Sequence, residues 1–484
     1  MPETILPGTY ITVRDEGLIS AGAVASGNIG IVGTASKGKV NTVQILGSFA
    51  EAKEAFGESD VWQGGTQNEL TLIRALELIY NNGGKTVYAV RTASATLARA
   101  YFTLKAGNSE LLRLEAKGTP GSWGNQIKIR IQNIDSSDVE GTALPVQKRI
   151  ELTYGTVQEI YELQAGGLSL LQTTLNERSS LVTADQPSQG TGNKLPDNTV
   201  EPFASFAGGD DGAQAGKDEY QTSLALLENE IINLVILAGQ DSGVPWAQSV
   251  LEAHLKITEG EKRERIGLIG SALTVDAQGN VNEDVNAIAN HPFANNRLIF
   301  VAPGVIVSGR DPKQQYKLSG GYLAAAVTGL ISSLPVQTSP TNKTLAIAGL
   351  TKEFSTSQLE KLVQSRVLAV MKQSGFRIVK GITTDTNSAW HQITTRRIVD
   401  YAIYGVRSAC NPYIGKLNNQ RVRGAMKATL NAFLTRMVDD EALVGYSVEV
   451  SATRDQEIAG EAIVTMTLKP TFSIDFIKVT MYLG

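Results

Sequence analysis

The sequence predicts a multi-domain α/β protein that carries strand-forming arms at both ends. Three observations carry this. Apolar strand runs alternate with helical patterns in two separated stretches. Between them lies a block where period-two alternation replaces the helical pattern. Both termini repeat that alternation outside the helical stretches.

The first α/β stretch opens with Asn28-Ile29-Gly30-Ile31-Val32-Gly33, a buried-strand pattern. Ser48-Phe49-Ala50-Glu51 reads as a capping box, and its helix presents Phe49, Ala52 and Phe56 before stopping at Gly57. A second helix runs from about Glu69 to Asn81, with Leu72, Ile73, Leu76, Ile79 and Tyr80 at helical spacing. Thr86–Val90 is the next strand, and strand–helix–strand order implies a parallel sheet.

From about Thr96 to Pro202 short alternating segments take over: Tyr101–Ala106, Leu111–Ala116, Gln126–Gln132, Arg149–Tyr154 and Glu159–Leu163. Polar turn residues separate them, as in a β domain inserted at a surface loop. The α/β pattern resumes after Gly208-Gly209-Asp210-Asp211-Gly212. A helix carries Tyr220, Leu224 and Leu227, and Ile231–Leu237 and Arg265–Gly270 are strands on either side of a helix from Trp246. A helix near Glu283–Ala289, a strand at Arg297–Val301 and a small-residue helix (Gly320, Gly321, Ala324, Ala325, Ala326, Gly329) follow. From about Thr351 the register changes. Leu359, Leu362, Val363, Arg366, Val367 and Val370 are expected on one helix ending at Gly375, followed by a strand at Phe376–Lys380. The helix near His391–Tyr404 places Arg396 and Arg397 within a turn of Asp400, and Val422, Met426, Leu430, Phe433 and Met437 stripe another. Val464, Met466 and Leu468 then share one strand face, and Ile477, Val479, Met481 and Leu483 another.

The predicted division is an N-terminal arm (1–21), a discontinuous α/β core (22–97 and 203–350), an inserted β domain (98–202), a C-terminal α+β module (351–470) and a C-terminal arm (471–484). Tyr10, Ile11 and Val13 in the first arm and Ile477, Val479 and Met481 in the second are the candidate inter-subunit residues, because an uncovered apolar edge templates pairing with another chain.

Composition narrows the function. A hydrophobic content of 42% and a charged content of 19% are ordinary for globular protein, and 484 residues suggest about three domains. A net charge of −4 with no basic run gives no reason to expect direct nucleic-acid contact. The single cysteine, Cys410, excludes an internal disulfide framework. Met1-Pro2-Glu3-Thr4 shows no signal-peptide pattern, and the apolar run Ala324–Leu334 is too short to insert in a membrane, so a soluble, cytoplasmically made protein is expected.

No catalytic, cofactor or metal residue is assigned. Gly33–Lys39 matches G-x-x-x-x-G-K, yet Val40 stands where a P-loop needs Ser or Thr, and an extended segment follows instead of a helix. Gly208–Gly212 lacks the alternating ligands of a calcium loop and reads as a turn. His254, His291 and His391 are widely spaced and no GxSxG elbow is present; His254 is expected to be solvated, and His291 to cap a turn. Arg396 and Arg397 read as a structural ion-pair cluster, and Cys410 as a core or boundary residue. A hydrolase-like or nucleotide-binding enzyme, and an adhesin-like module built on the inserted domain, are the rival readings.

The chain resembles the tail sheath proteins of contractile-tailed phages and contractile injection systems. The resemblance rests on Pro7-Gly8-Thr9-Tyr10, on Gly83-Gly84 before Val87–Arg91, and on Gly118–Asn125 (GTPGSWGN). Further along it rests on Phe206–Gly212, Asn296-Arg297, Ala302-Pro303-Gly304 and Ser339–Lys343. Trp390-His391-Gln392-Ile393, Arg396–Asp400 and Gly415–Asn419 complete it. The resemblance implies a subtilisin-like, Rossmann-like core without protease activity and no cofactor. It implies stacked six-membered rings joined by strand exchange around a tail tube, with baseplate and tail terminator proteins as further partners, in a virion tail or extracellular contractile particle assembled in a bacterial cytoplasm. It also implies an outward-facing inserted domain and a tube-facing C-terminal module, on which Arg421, Arg423 and Lys427 are candidate tube contacts, with a solvated helix face as the alternative.

Overall fold

The structure is a computed structural model that describes residues 25–58, 70–134, 147–185, 193–200, 202–274, 281, 283–308 and 315–481. These fall into two compact units, one made of Gly27–Leu334 with Pro340–Asp385, the other of Ala25, Ser26 and Pro335–Ser339 with the chain from Thr386 onward. The pattern change near Thr351 therefore lies inside the larger unit.

The larger unit is organised on a nine-stranded sheet. In spatial order its strands are Thr344–Leu345, Phe376–Ile378, Leu368–Lys372, Leu298–Ala302, Ile266–Gly270, Leu234–Asp241, Ile29–Gly33, Val87–Arg91 and Val43–Leu46. The six from Leu368–Lys372 to Val87–Arg91 run parallel, and the remaining three each pair antiparallel with their neighbour. Strands of such a sheet bury both faces, which is why they read as unbroken apolar runs. Val32, Val235 and Leu237 pack beneath the helices Lys217–Ala225, Ala247–Gly260 and Val285–Ala289. On the opposite face Thr71–Asn81 packs against Gly320–Ser333. The latter is buried along nearly its whole length, and glycine lets it do so: a Cβ at Gly329 would lie 2.2 Å from the carbonyl oxygen of Ile79.

Two expectations fail here. The helix of Leu359 and Leu362 ends at Gln364, and Leu368–Lys372, including Val370, is a parallel strand beside Leu298–Ala302. Arg366 turns the chain between them at φ +66°, so Val363 and Val370 belong to different periods. His254 is buried, not solvated. Its Nε2 lies 3.1 Å from the guanidinium of Arg265, and burial with that neighbouring cation pushes its pKa down to about 3. Arg265 also donates to the carbonyls of Leu227, Glu228 and Glu230, closing the turn after Lys217–Ala225.

The β-rich segment of the same unit holds a four-stranded sheet (Ala204–Ser205, Lys128–Ile134, Gln147–Tyr154, Val157–Gln164) and a three-stranded one (Tyr101–Ala106, Ser109–Ala116, Val182–Ala184). They enclose a separate core that includes Leu104, Leu114, Ile129 and Ile150. A helix absent from the sequence expectation, Leu168–Arg178, contributes Leu168, Leu171 and Leu175 to that core. Threonine, serine and asparagine in its remaining positions mask the pattern.

In the smaller unit Ile393–Cys410 packs on Gln420–Asp439, and Gly405 sits directly beneath Phe433. Leu443–Ser451 and Ile463–Pro470 form a two-stranded antiparallel ladder joined through the short helix Arg454–Ala459. Half-buried Cys410 borders this core.

Candidate functional site

Among the described residues the three enzymatic candidates are built as structure. The loop after Gly33 leads into the edge strand Val43–Leu46, not into a helix. Its Gly38 N–H donates to the Thr119 hydroxyl at 3.0 Å, and the Gly38 carbonyl accepts from Arg91 at 2.8 Å. Arg91 is wholly buried and also donates to the carbonyls of Pro120 and Asp211, so one guanidinium joins three loops. In Gly208–Gly212 the Asp210 carboxylate accepts from Gly212 N–H and the Thr96 hydroxyl, and Asp211 accepts from the Ser122 N–H and hydroxyl. Both carboxylates are thus committed to the loop, and no group of three or more potential metal ligands occurs among the described residues. His291 accepts the Phe293 N–H on Nδ1, forming the expected turn.

The switch point of the sheet lies between Ile29–Gly33 and Leu234–Asp241, where chain order reverses and doubly wound proteins place ligands. On one side of it, the start of Gly320–Ser333 closes on the ends of Leu234–Asp241 and Ile266–Gly270. A Cβ at Gly270 would lie 1.7 Å from the carbonyl carbon of Gly320, and one at Gly321 would lie 2.4 Å from the Gln240 oxygen. Backbone meets backbone at these two strand ends.

Unsatisfied surface concentrates in the smaller unit. The ladder pairs Tyr446 with Leu468, Val448 with Met466 and Val450 with Val464. Tyr446, Val448, Val450, Val464 and Leu468 pack against the helical core, while Ser447, Glu449, Thr465 and Thr467 face outward. The two strands pair only with each other, so each leaves an outer edge without a strand partner among the described residues. Ladder pairing stops at Pro470.

Residues 471–481 continue without a strand partner among the described residues, in contrast to the expected strand. Their near end is held in place. Thr471 N–H donates to the Ala442 carbonyl at 3.1 Å, and Gln392 accepts from Ser473 N–H at 3.2 Å and reaches Asp475 at 3.3 Å. Beyond that anchor Ile477, Val479 and Met481 are 82%, 75% and 84% exposed, and Phe472, Ile474 and Phe476 are exposed as well. Covering one such side chain contributes about 1.5–3 kcal/mol, so a run of them is a strong demand for a partner. Tyr10, Ile11 and Val13 lie outside the described residues.

The proposed tube-facing residues stand on Gln420–Asp439. Arg421 and Lys427 are exposed; Arg423 is half-buried and bonded to Glu457 at 3.0 Å and to the Asn418 side chain at 2.8 Å. Arg396 pairs with Asp400 at 2.7 Å and lies over the Trp390 ring at 4.4 Å, while Arg397 donates to the carbonyls of Pro335 and Ser26. Gln392 was not legible as an anchor, since its partners lie some eighty residues further along the chain.

Family models decide the kinship. Residues 213–384 match the central domain of phage tail sheath proteins, and residues 385–484 match the phage tail sheath C-terminal domain. The chain belongs to the phage tail sheath family. No curated protein matches it. Among solved structures it is similar to a sheath tail protein from Desulfitobacterium hafniense, at 15% identity and a TM-score of 0.62 over 96% of this chain and 100% of that one. A sheath tail protein from Listeria innocua is similar at 16% identity and a TM-score of 0.62, covering 94% of each chain. The contracted helical sheath of the anti-feeding prophage is similar at 14% identity and a TM-score of 0.55, covering 99% of each chain. At such identities these likenesses establish the fold. The boundary between the two family matches, at residues 384 and 385, falls within one residue of the boundary between the two units of this sheath protein, at residues 385 and 386.

Proposed function

We propose that this sheath protein is the non-enzymatic subunit of a contractile tail sheath. It polymerises as stacked hexameric rings around a tail tube and contracts to drive the tube through a target envelope. The observation that supports this best is the pairing of an open-edged ladder with an exposed apolar segment in one unit. Each supplies what the other lacks, and joining them between copies is strand addition, with main-chain hydrogen bonds providing register. The arm 1–21 takes the remaining edge through Tyr10, Ile11 and Val13, with Gly17 and Gly22 as the glycines that give it backbone freedom.

In this reading the core has subtilisin-like topology, the segment 98–202 faces outward, and Arg421 and Lys427 face the tube, with Arg423 bracing their helix through Glu457. Baseplate and tail terminator proteins cap the polymer, which resides in a virion tail or an extracellular contractile particle after assembly in a bacterial cytoplasm. Contraction draws on new contacts between larger units.

Negative-stain electron microscopy of the full chain, of a deletion of residues 1–20 and of a deletion of residues 471–484 tests the reading. Tubes or stacked rings from the full chain, absent from both deletions, are expected. Normal polymers from either deletion would overturn strand exchange. Discrete particles from the full chain even with its cognate tube protein would overturn the sheath assignment.

A further inference from the structure

Within the smaller unit the start of one helix grips the chain near both of its ends. Ile393–Cys410 begins at Gln392, whose side chain makes no capping bond to its own helix. Short polar side chains are usual at such a position because they reach back to the first helix N–H groups. The Gln392 amide is spent elsewhere. Its Oε1 accepts the Ser473 N–H at 3.2 Å, and its Nε2 donates to the Ser473 carbonyl at 3.5 Å and to the Asp475 carboxylate at 3.3 Å. One primary amide thus engages the N–H and the C=O of a single residue, as the opposite residue of an antiparallel strand does. The Thr394 hydroxyl adds a contact to the Ser473 hydroxyl at 3.4 Å. Thr471, Ser473 and Asp475 are half-buried, whereas every residue from Phe476 to Met481 is exposed. Arg397, one turn further along the same helix, holds the other end of the chain. It is 5% exposed, and its two terminal nitrogens donate to the carbonyls of Pro335 and Ser26, each at 3.1 Å. Ser26 lies just beyond the arm 1–21.

We propose that Gln392 and Arg397 are positioning residues for strand exchange: they hold the roots of both arms at the start of Ile393–Cys410, and so set where each arm leaves the body and in which register the second one begins. The proposal rests on the strand-exchange reading above. Register follows from parity. In an extended chain, alternate residues turn their N–H and C=O groups to the same edge. Ala442 and Gln392 occupy that edge at Thr471 and Ser473. Phe472, Ile474, Phe476 and Lys478 then present their backbone groups to the opposite edge, the one left for a neighbouring copy. A slip of one residue at the root would exchange the two sets. The anchorage is itself braced, since Arg396 pairs with Asp400 at 2.7 Å and lies over the Trp390 ring. Tension on either arm therefore enters the body at the same helical turn.

Hydrogen exchange of the full chain, read by mass spectrometry, with negative-stain microscopy of the same preparations, tests the proposal. Gln392→Ala should speed exchange in residues 472–476 by about tenfold, as expected for the loss of one hydrogen bond. The parent melting temperature should be kept, because the bonds lost lie outside the core, and polymer yield should fall. Arg397→Lys keeps the charge but cannot fork to two carbonyls, and should speed exchange around Ser26 in the same way. Gln392→Glu combined with Asp475→Asn reverses the amide–carboxylate pair end for end. The double variant should recover polymer that Gln392→Glu alone loses, a rescue that a merely structural role for Gln392 would not give. Unchanged exchange in residues 472–476 of Gln392→Ala would overturn the anchor. Parent polymer yield from a variant with a freed root would overturn the positioning role. If the parent chain itself forms no polymer, strand exchange fails, and the exchange rates alone decide whether the two residues hold the roots.

Discussion

The two units of this protein use strands in opposite ways. In the larger one, Ile29–Gly33, Leu234–Asp241 and Ile266–Gly270 each have a strand on both sides and a helix layer on both faces. In the smaller one, Leu443–Ser451 and Ile463–Pro470 pair only with each other, and the apolar residues that follow them lie in the open. Stability and association are thereby separated along the chain. Substitutions in the sheet should act on folding, and substitutions in the open segment should act on what the folded chain joins.

The largest expected effect is at Gly270. Alanine there puts a Cβ against the Gly320 backbone, which cannot move aside as a side chain can. A loss of about 3 kcal/mol or more in chemical denaturation is expected, toward the upper end of overpacking costs. A loss below 1 kcal/mol would show the seam to be loose.

Arg265→Leu comes next. It strands the carbonyls of Leu227, Glu228 and Glu230, and should cost about 2–3 kcal/mol in the same measurement.

The pH dependence belongs to His254. Its folded pKa of about 3 lies below the ordinary value of 6.5, so the unfolded chain binds a proton that the folded one refuses. Stability from neutral His254 is fully present above pH 6.5 and is lost as pH falls toward 3, at a slope approaching about 1.4 kcal/mol per pH unit. His254→Gln should flatten that limb of a stability-versus-pH curve. An unchanged slope would place the proton elsewhere.

Ile477→Asp is the sharpest contrast and the smallest change in stability. With the side chain 82% exposed, the monomer should unfold within about 0.5 kcal/mol of the parent. Polymer yield in the microscope should nonetheless collapse. A destabilised monomer, or an intact polymer, would erase the separation between the two units.

The parallel sheet was legible because doubly buried strands read as apolar runs, as at Ile29–Gly33 and Leu234–Leu237, although the strand expected from Ile231 begins at Leu234 and extends into Gln240 and Asp241. The open-edged ladder was legible in part, since alternation at Val464, Met466 and Leu468 marks a strand without stating its partner. Leu368–Lys372 was missed because Leu362, Val363 and Val367 sit at helical spacing on both sides of Arg366, and only its positive φ reveals the break. The buried state of His254 depends on Arg265, eleven residues away and beyond a turn, a pairing that periodicity does not encode. The same holds for Gln392, whose partners Ser473 and Asp475 are remote in sequence. The apolar face of Leu168–Arg178 was hidden with the helix itself.

The Gly270–Gly320 seam has a mechanical consequence. Side chains between packed elements act as springs, because rotamers can change under load. At this seam there are none, and the strand end bears directly on the start of a fourteen-residue helix. A force applied to that helix passes into the sheet with little compliance. Beside the switch point the sheet is thus backed by a stiff strut, suited to carrying strain without absorbing it.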